Sequence, residues 1–203
     1  MKQNEGRMVV GITGRIASGK TNMTDAISLA CENVIDADEI SRALTADGGK
    51  ALPTIREAFG NGVFQGASLD RKALAGIVFA SKEKREQLEN ILHPMIKAAI
   101  GEKLEAARGI VFLSAPLLYE CALESLCDRV WCAYVPKEIQ LRRLMERDHL
   151  SQEEAALRLQ SQMPSDEKAE KADLVIPTDG TIEESRALVL KLLAALKEAA
   201  RDC

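Results

Sequence analysis

The stretch VVGITGRIASGKTNM, Val9 to Met23, decides the fold. It passes from a strand-length apolar run into Gly14-Arg15-Ile16-Ala17-Ser18-Gly19-Lys20-Thr21 and then into helical periodicity. Two glycines five apart, followed by Lys-Thr and set between a strand and a helix, are the pattern of a phosphate-binding loop. Consecutive backbone N–H groups in such a turn form an anion nest, and the helix N-terminus adds its partial positive charge. The pattern predicts that Gly14 to Asn22 cradle the phosphates of ATP, with Lys20 reaching the terminal phosphates and the Thr21 hydroxyl ligating Mg²⁺. The octapeptide alone arises by chance in about one chain in a hundred, and the strand and helix flanks make chance a poorer account still.

Outward from the loop, apolar runs at Met8–Thr13, Asn33–Ile35, Ile110–Ser114, Val130–Val135 and Leu174–Ile176 alternate with helical periodicity. That alternation predicts an α/β fold, a P-loop NTPase-like parallel sheet covered by helices on both faces. Between the second and third runs lie about 75 residues without a convincing strand, far more than a crossover needs. They read as helices with N-caps at Asp70 and Ser81, one of them ending before Pro94. The partition expected is a core over 7–37, 108–140 and 172–203, a helical acceptor-binding insertion over 38–107, and a lid over 141–171. Ser151/Glu154 and Thr181/Glu184 have capping-box spacing.

The 203 residues are 46% hydrophobic and 29% charged, ordinary globular values, with a net charge of -4 and only 3% aromatics. Neither a net basic face nor stacking platforms are available, so nucleic acid is a poor partner. Five cysteines without a C-x-x-C pair, and two histidines, support neither a disulfide framework nor a zinc site. With no spanning segment or signal sequence apparent, a cytoplasmic protein, monomeric or a small homo-oligomer, is expected.

A phosphate loop does not say what receives the phosphate. The chain has no Asn-Lys pair for reading guanine, and its third strand ends in Ser114 rather than an acid, which weakens switch-GTPase and motor-ATPase readings. Acid follows the second strand instead, in Val34-Ile35-Asp36-Ala37-Asp38, where the ligand crevice of a doubly wound sheet lies. A kinase acting on an alcohol needs a carboxylate there; one aspartate also suits a helix cap, and spacing does not rank the two. Arg142, Arg143 and Arg147 fall within two turns of one helix, suited to phosphate contact or, more plainly, to surface pairing with Glu146 and Glu154.

These residues, with Leu69-Asp-Arg71, Ile77-Val-Phe79, His93-Pro94, Ala115-Pro116-Leu117-Leu-Tyr119-Glu120, Gln140-Leu-x-Arg143, Arg147-Asp148, Gln162-Met-Pro164 and Ala172-Asp173, form an ordered series. From about Met8 to the end the chain resembles the dephospho-CoA kinase family. The resemblance implies transfer of the ATP γ-phosphate to the ribose 3′-hydroxyl of dephospho-CoA, the last step of coenzyme A synthesis. It implies Asp38 as base with Asp36 close behind, Arg143 and Arg147 on the ATP phosphates or adenine, and an acceptor pocket of Asp38, Arg42, Leu69, Arg71, Phe79, His93, Pro116 and Leu117. From position alone His93 suits a structural cap as well as substrate contact, and Phe79 and Tyr119 suit the core better than stacking. Rival readings are another small-metabolite or nucleotide kinase on this core, and a nucleotide-binding protein without transfer activity.

Two departures stand out. The family usually has Gly-Gly-Ile-Gly where this chain has Gly14-Arg15-Ile16-Ala17. Strain is expected at Arg15 if that position requires φ > 0, with its side chain otherwise projecting toward nucleotide. The family's asparagine near the last strand is replaced by Thr178-Asp179.

Overall fold

The computed structural model describes residues 6–30 and 33–201; of the five cysteines, Cys31 and Cys203 lie outside them. In chain order the elements are β1 (Arg7–Thr13), α1 (Lys20–Ala30), β2 (Val34–Asp36), α2 (Ala37–Leu44), α3 (Leu52–Phe59), β3 (Phe64–Gln65), β4 (Ser68–Leu69), α4 (Arg71–Ala80), α5 (Lys82–Ala106), β5 (Gly109–Ser114), β6 (Arg129–Tyr134), α6 (Lys137–Asp148), α7 (Gln152–Gln160), α8 (Ser165–Lys171), β7 (Leu174–Pro177) and α9 (Ile182–Arg201). They divide into two compact units, residues 1–35 with 107–203, and residues 36–106.

The first unit is built on a five-stranded sheet of order β2-β5-β1-β6-β7. β1 pairs in parallel with β5, Arg7 opposite Gly109, and with β6, Val10 opposite Arg129; β6 pairs in parallel with β7. Flanked on both sides, β1 is apolar on both faces, with Val9, Val10 and Ile12 buried. Met23, Ala26 and Ile27 of α1 and Val189, Leu193 and Leu196 of α9 keep the three- and four-residue spacing of a helix face. They close one core with Phe112 and Trp131, whose rings lie 5.6 Å apart and tilted by 59°. Both capping boxes form: Ser151 Oγ accepts from Glu154 N–H, and the Glu184 carboxylate accepts from Thr181 N–H at 2.8 Å.

The second unit is helical, with α2, α3 and α4 all packing on α5. Asp70 caps α4 through Lys72 and Ala73 N–H, and Ser81 Oγ accepts from Lys84 N–H at the start of α5. Two expectations are corrected here. The segment contains a small antiparallel hairpin, β3–β4, with Phe64 opposite Leu69. It escapes hydrophobic patterning because each strand has two residues; Arg56 steadies it, 3.9 Å over the Phe64 ring and donating to Gly66 O at 3.0 Å. And α5 runs through Pro94 instead of stopping before it. Proline removes one backbone hydrogen bond, but packing of three helices along α5 outweighs that local loss.

None of Cys121, Cys127 and Cys132 is in a disulfide. Burial pushes the Cys127 thiol up to about 12 and the Cys132 thiol to about 11, so both stay protonated at neutral pH. Among the described residues no helix is long and apolar enough to cross a membrane.

Candidate active site

The loop after β1 has the geometry its glycines require. At Gly19, with φ of 86°, an added Cβ would meet Thr178 at 3.1 Å, so both conformation and space demand glycine. At Gly14 a Cβ would stand 3.0 Å from the Ala133 carbonyl. The turn is closed by Ser18 N–H donating to Arg15 O at 3.0 Å. Lys20 then opens α1, and its ammonium donates to Ser114 Oγ at 2.7 Å. The serine ending β5 therefore steadies the loop's lysine. Thr21, in the first turn of α1, is exposed.

Among the loop's non-glycine residues the left-handed one is Ala17, with φ of 62°, and not Arg15. The Arg15 side chain is turned into the protein. It is more than nine-tenths buried, and its Nη2 donates to Leu159 O at the end of α7. Burial lowers its pKa below an ordinary arginine's, while Asp166 and Glu120 act against that shift. Ile16 and Ala17 pack with Leu144, Ala155 and Leu159 of α6 and α7, and Ile16 N–H donates to Gln162 Oε1 at 2.8 Å.

Around this loop the first unit gathers several predicted residues. Arg143 donates to Thr178 O at 2.8 Å, and the Thr178 hydroxyl donates to Ser18 O, tying α6, the end of β7 and the loop together. Arg147 is bidentate on Asp148 at 2.8 and 3.1 Å, and Arg158 reaches the same carboxylate at 2.6 Å. Asp148, rather than Glu146 or Glu154, is thus the partner of Arg147; Glu154 closes its capping box. Pro116 O accepts from Thr13 Oγ1 and from Lys168 Nζ, and Leu117 beside it is 37% exposed. Lys168 is fully buried and pairs with Glu120 at 2.9 Å. Tyr119 is half-buried, its buried hydroxyl pushed up to about 12 mainly by desolvation.

The second unit holds the other candidates. Asp36 caps α2, its Oδ1 accepting from Asp38 N–H at 2.8 Å and Glu39 N–H at 3.1 Å. Asp38 sits in the first turn with an exposed side chain. Arg71 reaches the end of α2, donating to Thr45 Oγ1 at 3.0 Å and Thr45 O at 3.2 Å, which places it beside the turn that carries Arg42. Leu69 is half-buried on β4, and His93 is half-buried inside α5, so it is not a terminal cap. Phe79 is 83% exposed on α4, which excludes a core role.

Sequence reasoning missed the parts played by Ser114, Thr178, Lys168 and Gln162. Ser114 registered only as a missing acid, and Thr178 as a missing asparagine. Lys168 was hidden in a charged run that looks solvent-facing.

With that geometry in place, comparison with known proteins is direct. A sequence model described as CoaE: dephospho-CoA kinase matches residues 8–184. The dephospho-CoA kinase of Bacillus licheniformis is 40% identical over 191 residues, covering 92% of this chain and 95% of that one. A crystal structure from Thermus thermophilus superposes with a TM-score of 0.80 at 32% identity, covering 95% of this chain and 99% of its own. The dephospho-CoA kinase of Campylobacter jejuni gives 0.72 at 31% identity, with 95% and 98% covered. A family match across most of the length, joined to a phosphate loop with its lysine in place, shows that the chain belongs to the dephospho-CoA kinase family.

Proposed function

We propose that this chain catalyses its family's reaction, transfer of the ATP γ-phosphoryl group to the ribose 3′-hydroxyl of dephospho-CoA, through the residues described above. The observation that carries the reading is Lys20 at the head of α1, held by Ser114 in a loop whose conformation requires Gly19. The amides of Ala17 to Thr21 bind the ATP phosphates, as donors at a helix N-terminus do, and Lys20 neutralises charge on the transferred group. Arg143 and Arg147 serve the phosphates from α6. For Arg147 this means exchanging its Asp148 partner for phosphate oxygens.

Among the described residues no three His, Cys, Asp or Glu side chains converge on a metal site. The Thr21 hydroxyl, exposed in the first turn of α1, would hold magnesium together with phosphate oxygens and water. When bound, it supplies charge neutralisation on the phosphates.

Asp38 accepts the proton of the attacking hydroxyl. Its exposure supports this role, as does the engagement of Asp36 in capping α2. Arg42, Leu69, Arg71, Phe79 and His93 of the second unit receive the acceptor. The exposed Phe79 ring suits contact with a ligand better than it suits the core. Segment 141–171 acts as the lid.

The test is ADP release by purified protein with ATP, Mg²⁺ and dephospho-CoA. Release that requires dephospho-CoA supports the reading. Release indifferent to it, or greater with another alcohol acceptor, overturns it.

A further inference from the structure

The apex of the phosphate loop is fastened by a closed ring of hydrogen bonds to the end of α7. Ile16 N–H donates to Gln162 Oε1 at 2.8 Å. Gln162 N–H donates to Leu159 O at 3.3 Å. The same carbonyl accepts from Arg15 Nη2, and Arg15 precedes Ile16 in the chain. Ile16 and Ala17 pack against Leu144, Ala155 and Leu159 beneath the ring. The turn that carries Gln162 is itself anchored: Met163 N–H donates to Glu120 Oε1 at 2.9 Å, and the other oxygen of that carboxylate takes the buried Lys168.

We propose that Gln162, braced by Arg15, is a positioning residue for the ATP-phosphate site, a role that rests on reading this loop as the ATP site. Left-handed backbone at Ala17 is disfavoured for any residue with a Cβ, so something outside the loop must hold it. The ring fixes residues 15 and 16 immediately before that position. It thereby directs the amides that follow toward the phosphates. Arg15 adds to the ring from a site where a glycine could give no side-chain hydrogen bond. Its Nε is buried without a hydrogen-bond partner among the described residues, and its Nη2 donates to Leu159 O. None of the ring's four residues, Arg15, Ile16, Leu159 and Gln162, is among the residues proposed for the acceptor, so its loss should be felt first in ATP binding.

The experiment is equilibrium ATP binding, with the KM for dephospho-CoA alongside, in Gln162→Met, Arg15→Met, the double variant and Arg15→Lys. One hydrogen bond of this kind corresponds to about a fivefold change in affinity. Each single variant should weaken ATP binding by about that factor, and the double by little more, since both break one ring. Amide exchange at Ile16 should accelerate in both single variants. Arg15→Lys, which keeps a donor for Leu159, should recover most of the affinity, and the KM for dephospho-CoA should not move. If Gln162→Met does not fold, Gln162→Asn, one methylene too short to reach, gives the same measurement. Unchanged or tighter ATP binding overturns the proposal, as does multiplication of the two single effects in the double, or equal weakening of both substrates. Lys20→Met separates the two levels: if it binds ATP as the parent does, the reading of the loop fails rather than the ring.

Discussion

Lys20 Nζ lies 2.7 Å from Ser114 Oγ, which places the ammonium at the carboxyl end of the strand beside β1. Lys20→Met should lower kcat/KM for ATP by about 100-fold or more, the scale of losing one preorganised charge-stabilising donor. Ser114→Ala removes only the neighbour that orients the lysine, worth about fivefold. Steady-state kinetics with varied ATP checks both, and a larger effect for Ser114→Ala would contradict the assignment.

Asp36 caps α2, and Asp38 is the proposed base. Asp36→Ala should destabilise the protein by about 1 kcal/mol through loss of the α2 cap, measured by urea denaturation. Asp38→Asn should instead cut turnover by about 100-fold or more while sparing ATP affinity. Were Asp36→Asn the slower enzyme at equal folding, the two roles would have to be exchanged.

Ala17 stands at φ 62° where glycine pays no steric cost. Ala17→Gly should raise stability by up to about 1 kcal/mol, less what the freer unfolded chain regains. The denaturation midpoint should rise with an unchanged slope. A fall would mean that packing of the Ala17 methyl against α6 and α7 outweighs the backbone strain.

Lys168 and Glu120 form an ion pair whose cation is fully buried while the carboxylate side chain is 24% exposed. Lys168→Met leaves that carboxylate poorly compensated and should cost about 2–3 kcal/mol, toward the low end for a buried pair because water still reaches Glu120. Lys168→Met combined with Glu120→Gln should recover part of the loss in thermal denaturation. A double variant as unstable as the sum of the two singles would show that the pair is not coupled.

Acid should loosen the protein through three carboxylates. Asp148 is held below its ordinary range mainly by Arg147, Asp70 by the Ala73 amide, and Glu184 by the Thr181 amide. Each has a lower pKa folded than unfolded, so its stabilisation is complete above the ordinary carboxylate range and is lost as pH falls through the folded value. Denaturation midpoints measured downward from pH 6 should therefore fall, and fall less steeply in Asp148→Asn.

The loop and all five strands of the sheet were legible in the sequence because strand-length apolar runs and a glycine-punctuated turn are local signals. The hairpin Phe64–Leu69 was not, since two-residue strands have no period to detect. Continuation of α5 through Pro94 was hidden because it depends on α2, α3 and α4 packing along that helix. The same holds at the site. Lys20 and the Asp36/Asp38 pair could be singled out from motif and position, whereas Ser114, Gln162 and Thr178 act through contacts made 94, 146 and 160 residues away.

Those separations set an order of events during synthesis. β1 and the loop leave the ribosome before their partners, so β1 must wait for β5 and β6, and Ser18 for Thr178. At about 5–20 residues per second, the interval between Ser18 and Thr178 is roughly ten to thirty seconds. Residues 36–106, compact by themselves, are complete well before it ends. The loop is thus synthesised well before the residue after β7 that fastens it, so a polypeptide truncated before β7 would carry the motif without the loop's support.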